Sequence, residues 1–120
     1  NLKINILHHL DNYMHEKGEY FDGYIDSSWV NIYEKNFYQE FHTHISPVKK
    51  TISGVMYLSR SNSNINFEAP SRMKQHKLTP EYCDIILFED YLAHSVEKNQ
   101  SDNLRISVAF NFTKVNLHRQ

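Results

Sequence analysis

Two histidines separated by one residue are the first feature of this sequence with metal-binding chemistry. The stretch EFHTHISP, residues 40–47, places His42 and His44 in a run that alternates apolar and polar residues. Such alternation is typical of a β-strand, in which residues i and i+2 point to the same face. Both imidazoles can therefore bind one metal ion near a strand end. The chain has eight histidines, so the alternative is that these two are ordinary surface residues that bind no metal.

His94 is a candidate for the third ligand of that ion. It lies in DIILFEDYLAHSV, residues 84–96, where an apolar segment leads through a polar bend into another short strand. Three histidines around one ion are an established metal-binding arrangement. A third histidine therefore strengthens the metal interpretation of His42 and His44.

Arg105 and Ser107 carry a second kind of chemistry. In RISVAFNF, residues 105–112, strand alternation places these two side chains on one face and the apolar residues on the other. A guanidinium presents a fixed fork of donors and a nearby hydroxyl adds one more, so the pair forms a clamp for a carboxylate. The alternative is the polar, solvent-facing side of an edge strand.

The ordered set of these residues resembles the iron(II)- and 2-oxoglutarate-dependent dioxygenases, whose motif is H-x-D, then a distant histidine, then R-x-S. This chain shows His42 and His44, then His94, then Arg105 and Ser107 after ten intervening residues. The strand TISGVMYLS is similar to one in the prolyl-hydroxylase-like members, whose tyrosine reaches the cosubstrate, and Tyr57 fills that place. The resemblance covers residues 28–113. Over this range the sequence looks like the small phage and bacterial branch of these dioxygenases.

The resemblance implies a mainly β fold, a double-stranded β-helix of the jelly-roll or cupin type with an N-terminal helix. It implies iron(II), 2-oxoglutarate and O2 as cofactors, and no catalytic residue beyond the metal centre. The implied reaction hydroxylates a C–H bond of an amino-acid, peptide or protein side chain and releases succinate and CO2. The implied metal ligands are His42, His44 and His94, and the implied cosubstrate residues are Arg105, Ser107, Tyr57 and Tyr33.

One position departs from the motif of these dioxygenases. His44 stands where they have an aspartate, which removes one negative charge from the metal site and alters its affinity for iron. Glu40 is a possible substitute, since it shares the strand face of the histidine pair. Glu89 and Asp90, close to His94, are others, and any of the three is alternatively an acceptor for an imidazole N–H.

Composition limits the function classes. The chain has 120 residues, 13 basic and 14 acidic, and no long run of either sign, which argues against nucleic-acid binding. No apolar stretch approaches the roughly 18 residues of a membrane span. We expect a single domain over residues 1–120 in the cytoplasm, with a small-molecule cosubstrate and an unidentified primary substrate. The first residue is Asn1 and not methionine, so whether the native chain extends further at its N-terminus stays an open question.

The elements that must position these residues follow from hydrophobic periodicity. Apolar residues at three- and four-residue steps predict a helix over 2–15, ended by Gly18, within a helical N-terminal segment 1–27. Short period-two segments then predict a jelly-roll core over 28–113. The predicted strands are 28–34, 37–44, 51–59, 64–68, 72–78, 84–89, 92–96 and 104–113.

Two other functions remain open on the sequence. One is a three-histidine metal enzyme of the cupin type that does not use 2-oxoglutarate, and the other is a catalytically silent β-sandwich binding module. The intact Arg105-x-Ser107 pair argues against the module. Cys83 is expected to be a small core residue. The remaining histidines are expected to be exposed: His8, His9, His15, His76 and His118.

Overall fold

The structure, a computed structural model, describes residues 2–43, 50–60, 62–68 and 75–119. One helix precedes eight strands in that part of the chain. They are α1 Leu2–Lys17, β1 Glu19–Tyr33, β2 Gln39–His42, β3 Lys50–Tyr57, β4 Ile65–Glu68, β5 Gln75–Leu78, β6 Ile85–Glu89, β7 Ala93–Val96 and β8 Arg105–Arg119.

The amphipathic stripe predicted near the N-terminus forms the buried face of α1. Ile6, Leu10 and Met14 recur at four-residue steps and are all buried. Gly18 then ends the helix with a left-handed φ of 69°, and its N–H donates to the carbonyl of His15 at 3.1 Å. The helix is neither long nor apolar enough to span a membrane, and no other helix occurs in the described residues.

The strands form two antiparallel four-stranded sheets. Their orders are β1-β8-β3-β6 in the first sheet and β2-β7-β4-β5 in the second. This double sheet confirms the predicted mainly β jelly-roll class. β1 and β2 are consecutive along the chain, yet each is an edge strand of a different sheet. The connection between them therefore joins the two sheets at one side.

The alternation of β8 separates the two faces of the first sheet. Phe110 and Phe112 pack against Ile6 and Leu10 of α1, together with Ile52 of β3. The other face meets the second sheet, where Phe88 packs with two residues of β4, Ile65 and Phe67. The predicted polar side of this strand, which carries Arg105 and Ser107, consequently faces the second sheet and not solvent.

The predicted helical N-terminal segment is wrong beyond residue 17. β1 begins at Glu19, and its first part pairs with the last part of β8, so that Glu19 lies opposite Arg119. The side chains of residues 22–24 and 26–28 are exposed, and the pairing shifts register between Asp22 and Gly23 and between Ile25 and Ser27. These irregularities break the period-two pattern, so the strand has no clear signal in the sequence.

The other predicted strands occur in the predicted order, with shifted ends. β8 extends to residue 119, beyond the predicted end of the core at residue 113. Its last part pairs with the irregular first part of β1, which has no period-two pattern. The start of the predicted strand 72–78 lies outside the described residues. Cys83 is exposed in the turn before β6, at a φ of 72°, so the expectation of a core cysteine is wrong. The turn, and not the apolar strand after it, determines its environment.

Candidate metal and cosubstrate site

Two of the three predicted metal ligands lie side by side in the second sheet. Antiparallel pairing of β2 with β7 places His42 directly opposite His94, and their ring centroids are 4.2 Å apart. His94 is buried against the rings of Phe67 and Phe88, whereas His42 is half-buried. The sheet therefore brings together two imidazoles that are 52 positions apart in the sequence.

Backbone carbonyls orient both rings through the same nitrogen. Nδ1 of His42 lies 2.8 Å from the carbonyl oxygen of Glu40, and Nδ1 of His94 lies 3.3 Å from that of Leu92. An Nδ1–H donated to a carbonyl fixes the neutral tautomer whose lone pair is on Nε2, the form that binds metals. Local backbone thus prepares both side chains as ligands.

No third ligand joins this pair within the described residues, where no cluster of three His, Cys, Asp or Glu side chains occurs. His44 lies outside the described residues, so its role as a ligand stays a prediction. Of the alternatives, Glu89 binds Lys114 at 2.9 Å, and Asp90 accepts from the N–H of Thr51. Glu40 is exposed, and its backbone carbonyl oxygen is the atom that lies near Nδ1 of His42.

Arg105 is a cation without a carboxylate partner among the described residues. Its Nη1 donates to Ser63 Oγ at 2.7 Å, while its Nε is buried and has no hydrogen-bond partner. Burial lowers the pKa of the guanidinium below its usual value, and the group remains protonated at neutral pH. A buried, charged donor without a partner is costly unless an anion binds there.

Cross-strand register surrounds Arg105 with further donors. Tyr33 lies opposite Arg105, and Tyr57 lies opposite Ser107. Tyr57 is 8% exposed, and burial, with smaller contributions from Tyr33 and Asp84, raises its pKa. Burial also raises the pKa of Tyr33. Both phenols therefore stay protonated at neutral pH and can donate a hydrogen bond to a carboxylate.

One cavity between the two sheets unites these side chains. Its walls contain every predicted site residue that the structure describes: His42, His94, Arg105, Ser107, Tyr57 and Tyr33. The cavity therefore has two imidazoles on one wall and a cluster of cationic and hydroxyl donors on the other.

Sequence reasoning missed the residues that approach this cavity from loops. Ser63 holds Arg105, and Asn62 lines the same wall, although both belong to the segment SRSNSN, whose composition indicates only a loop. Gln39 also lines the cavity from the first position of β2. No spacing signal connects Ser63 with Arg105, because the two are 42 residues apart.

Four histidines whose side chains the structure describes lie outside the cavity. His8, His9, His15 and His76 are exposed, as predicted. His118 belongs to the end of β8, where only the backbone is described.

The family model described as "Putative 2OG-Fe(II) oxygenase" matches residues 27–111. That match covers most of the chain, so the protein belongs to this family of 2-oxoglutarate- and iron(II)-dependent oxygenases. The matched range includes the histidine pair, His94, and the Arg105 and Ser107 clamp. No curated protein matches the chain in sequence.

Solved structures share the fold at low sequence identity. A 2OG-Fe(II) oxygenase family oxidoreductase from Burkholderia pseudomallei superimposes with a TM-score of 0.74 at 18% identity, over 87% of this chain and 51% of that one. A prolyl-4-hydroxylase from Pseudomonas putida gives 0.61 at 15% identity, over 74% and 51%. The α-ketoglutarate-dependent carbocyclase SnoK gives 0.61 at 11% identity, over 82% and 52%. The chain thus spans about half the length of these proteins.

The described side chains fit the cofactors of the family. The donor set of two imidazoles suits a divalent transition metal such as iron(II). The unpartnered Nε of Arg105, beside Ser107 and Tyr57, suits a carboxylate. The two groups lie in one cavity, as a ligand with a metal-binding end and an anionic end requires.

Proposed function

We propose that this protein is an iron(II)- and 2-oxoglutarate-dependent dioxygenase that hydroxylates a C–H bond in an amino-acid, peptide or protein side chain. Membership of the oxygenase family supports the reaction class. The class of the primary substrate draws support from the resemblance of the Tyr57 strand to prolyl-hydroxylase-like enzymes and from the similarity of the fold to a prolyl-4-hydroxylase.

The observation that carries this proposal is that the guanidinium of Arg105 has no carboxylate partner among the described residues. Its Nε is buried without an acceptor, and no described carboxylate neutralises the charge. A purely structural arginine would be expected to pair with a carboxylate, as Lys114 pairs with Glu89. Arg105 instead faces the cavity that also contains His42 and His94.

Two groups of residues would bind the two ends of the cosubstrate. Arg105, Ser107, Tyr57 and Tyr33 would hold the carboxylate farther from the metal, since all four present donors and none presents a negative charge. His42 and His94 would hold the metal through Nε2, with His44 as the predicted third ligand. Phe67 and Phe88, packed around His94, limit the access of water to that end.

When bound, iron(II), 2-oxoglutarate and O2 supply the oxidising chemistry, in which the cosubstrate is converted to succinate and CO2 and a C–H bond to an alcohol. The polypeptide contributes position and a protected cavity. Because burial raises the pKa of Tyr57, its hydroxyl keeps its proton and does not repel the cosubstrate. Arg105 would supply a charge-assisted contact that fixes the direction of the dicarboxylate.

Anaerobic titration of metal-free protein with iron(II) and then with 2-oxoglutarate tests the proposal. The metal chelate of the cosubstrate has a visible absorption band, which we expect in the wild-type protein. His94→Ala should abolish the band through loss of a ligand. Arg105→Ala should raise the concentration of 2-oxoglutarate needed for the band by about 10- to 100-fold, as expected for a charged hydrogen-bonding partner.

Matched variants control for general effects of these substitutions. His76 and Arg60 lie outside the cavity, so His76→Ala and Arg60→Ala should behave as wild type. Iron binding without the visible band would favour the metal enzyme that does not use 2-oxoglutarate. Absence of metal binding would favour the silent binding module.

A further inference from the structure

Beyond the reach of the cosubstrate, the cavity wall contains an amide group that two hydroxyls hold in place. Ser53 Oγ donates to Asn111 Oδ1 at 3.0 Å, and Asn111 Nδ2 donates to Ser27 Oγ at 3.3 Å. The three residues lie opposite one another on β3, β8 and β1. The amide orientation of Asn111 is therefore determined before any ligand enters.

The oriented amide keeps one donor and one acceptor for a ligand. A carboxamide has two N–H groups and two oxygen lone pairs, and Ser27 and Ser53 use one of each. Asn111 lines the cavity and forms no other hydrogen bond in the described residues. An adjacent donor and acceptor on one planar group match the carbonyl and N–H of another amide.

The position of Asn111 separates it from the cosubstrate residues. Asn111 and Ser107 are four residues apart on β8, which corresponds to about 13 Å along a strand. The five-carbon chain of 2-oxoglutarate has four C–C bonds of about 1.5 Å, so its length is at most about 6 Å. A cosubstrate held at Ser107 therefore ends before it reaches Asn111.

The same position brings Asn111 to the metal-binding end of the cavity. Asn111 lies opposite Ser53, and Ser53 lies opposite Phe88, whose ring centroid is 4.8 Å from that of His94. A group bound at Asn111 would thus lie across the cavity from the imidazole pair. This is the region in which the substrate C–H bond has to be presented.

The charge of the cavity limits what can bind there. No carboxylate lines it within the described residues, and its one permanent cation is Arg105, which the cosubstrate would occupy. A charged group of the primary substrate would find no opposite charge on the described wall. Trp29, which faces the cavity from β1 and is 38% exposed, adds apolar area beside the amide.

We propose that Asn111, positioned by Ser53 and Ser27, is a specificity-determining residue that binds a neutral amide group of the primary substrate. The substrate class is accordingly an amide-containing compound such as a peptide. This inference rests on the proposed function, because it takes Arg105 and the histidine pair to be occupied by cosubstrate and metal.

The test uses the protein loaded with iron(II) and 2-oxoglutarate, and a panel of N-acetyl amino-acid N-methylamides covering the standard side chains. The O-acetyl 2-hydroxy-acid methyl esters with the same side chains are the comparison, since an ester oxygen replaces each amide N–H in them. Anaerobic binding is read from the change in the visible band of the chelate, and turnover from succinate formation in air. We expect at least one amide to bind and to raise succinate formation, and its ester to do so about tenfold less.

Variants separate recognition of the substrate from binding of the cosubstrate. Asn111→Ala and the isosteric Asn111→Asp should weaken amide binding by about tenfold and leave the affinity for 2-oxoglutarate within twofold of wild type. Asn66→Ala is the matched control, because Asn66 bonds Glu97 outside the cavity.

Three outcomes would overturn the inference while leaving the proposed function intact. They are equal binding of amides and esters, no effect of any amide on an enzyme that forms the chelate, and loss of 2-oxoglutarate binding in both Asn111 variants. Absence of the chelate band in the wild-type protein would instead overturn the proposed function, and this inference with it.

Discussion

At the scale of the residue, the fixed directions of the Arg105 N–H donors matter more for binding a carboxylate than the positive charge alone. Ser63 accepts from Nη1 and thereby holds the guanidinium against one side of the cavity. The remaining donors, including the buried Nε, then have a fixed direction. A lysine at this position would keep the charge but would present one flexible ammonium in place of a planar set of donors.

Tyr57→Phe tests the hydroxyl donors beside Arg105. Burial keeps the Tyr57 phenol protonated, so its removal deletes one hydrogen bond to a carboxylate, worth about 1.5–3 kcal/mol. We expect the dissociation constant of 2-oxoglutarate to rise about 10- to 100-fold, as measured by anaerobic titration. Iron(II) binding should be unchanged. Tyr91→Phe, at an exposed position outside the cavity, is the control, and equal affinities in the two variants would exclude Tyr57 from the cosubstrate site.

At the scale of the element, a charge cluster fastens α1 to the first sheet. Glu89 of β6 binds Lys114 of β8 at 2.9 Å and Lys17 of α1 at 3.3 Å, and it accepts from the Tyr13 hydroxyl at 3.3 Å. The Lys114 side chain is 9% exposed and that of Glu89 is 13% exposed. This carboxylate, which the sequence offered as a metal-ligand alternative, therefore has a structural role.

The cluster makes stability depend on pH. Burial by itself would raise the pKa of Glu89, but the hydrogen bond and charge of Lys114, and then Lys17, outweigh it and hold the pKa below the usual value. A carboxyl with a lowered folded-state pKa stabilises the fold above the unfolded-state pKa of about 4.3. That stabilisation is lost as the pH falls through the lower folded-state pKa.

Glu89→Gln tests this contribution. At pH 7 the variant leaves the buried Lys114 ammonium without the carboxylate, and we expect a loss of about 3 kcal/mol in the free energy of unfolding. Urea denaturation should show the difference from wild type shrinking as the pH falls through the lowered pKa of Glu89. Glu16→Gln, on the exposed side of α1, should cost little at either pH. A difference independent of pH would contradict the role of the ion pairs.

At the scale of the whole molecule, ligand binding should stabilise the association of the two sheets. The histidine pair belongs to the second sheet, whereas Arg105, Ser107, Tyr57 and Tyr33 belong to the first. Metal and cosubstrate together would therefore contact both walls of the cavity. A ligand at 100 times its dissociation constant adds about 2.7 kcal/mol to the stability of the folded state.

Thermal unfolding measures this coupling. Under anaerobic conditions, iron(II) with saturating 2-oxoglutarate should raise Tm by roughly 10 °C for a domain of this size. Removal of the metal with a chelator should reverse the shift. In Arg105→Ala the part due to 2-oxoglutarate should be lost, while Arg60→Ala should keep it. Equal shifts in these two variants would show that the cosubstrate stabilises the protein without Arg105.

The sequence by itself predicted the structural features that depend on neighbouring residues and on the order of residues along the chain. Strand alternation placed Arg105 and Ser107 on one face, the apolar stripe predicted α1, and the spacing of the histidines to Arg105 and Ser107 indicated the oxygenase family. These signals are local, because side-chain direction repeats every two residues in a strand and every 3.6 residues in a helix. The roles of His44 and of the other predicted ligands stay predictions.

The tertiary structure alone decided which distant residues meet. Pairing of β2 with β7 placed His42 against His94, and the partner of Arg105 proved to be Ser63 in a loop. Pairing with the end of β8 also made residues 19–27 a strand. These contacts depend on cross-strand register and on the packing of one sheet against the other, and a single segment's pattern does not specify its partner. For the same reason, only the fold showed Asn111 as an oriented amide in the cavity that contains the imidazole pair.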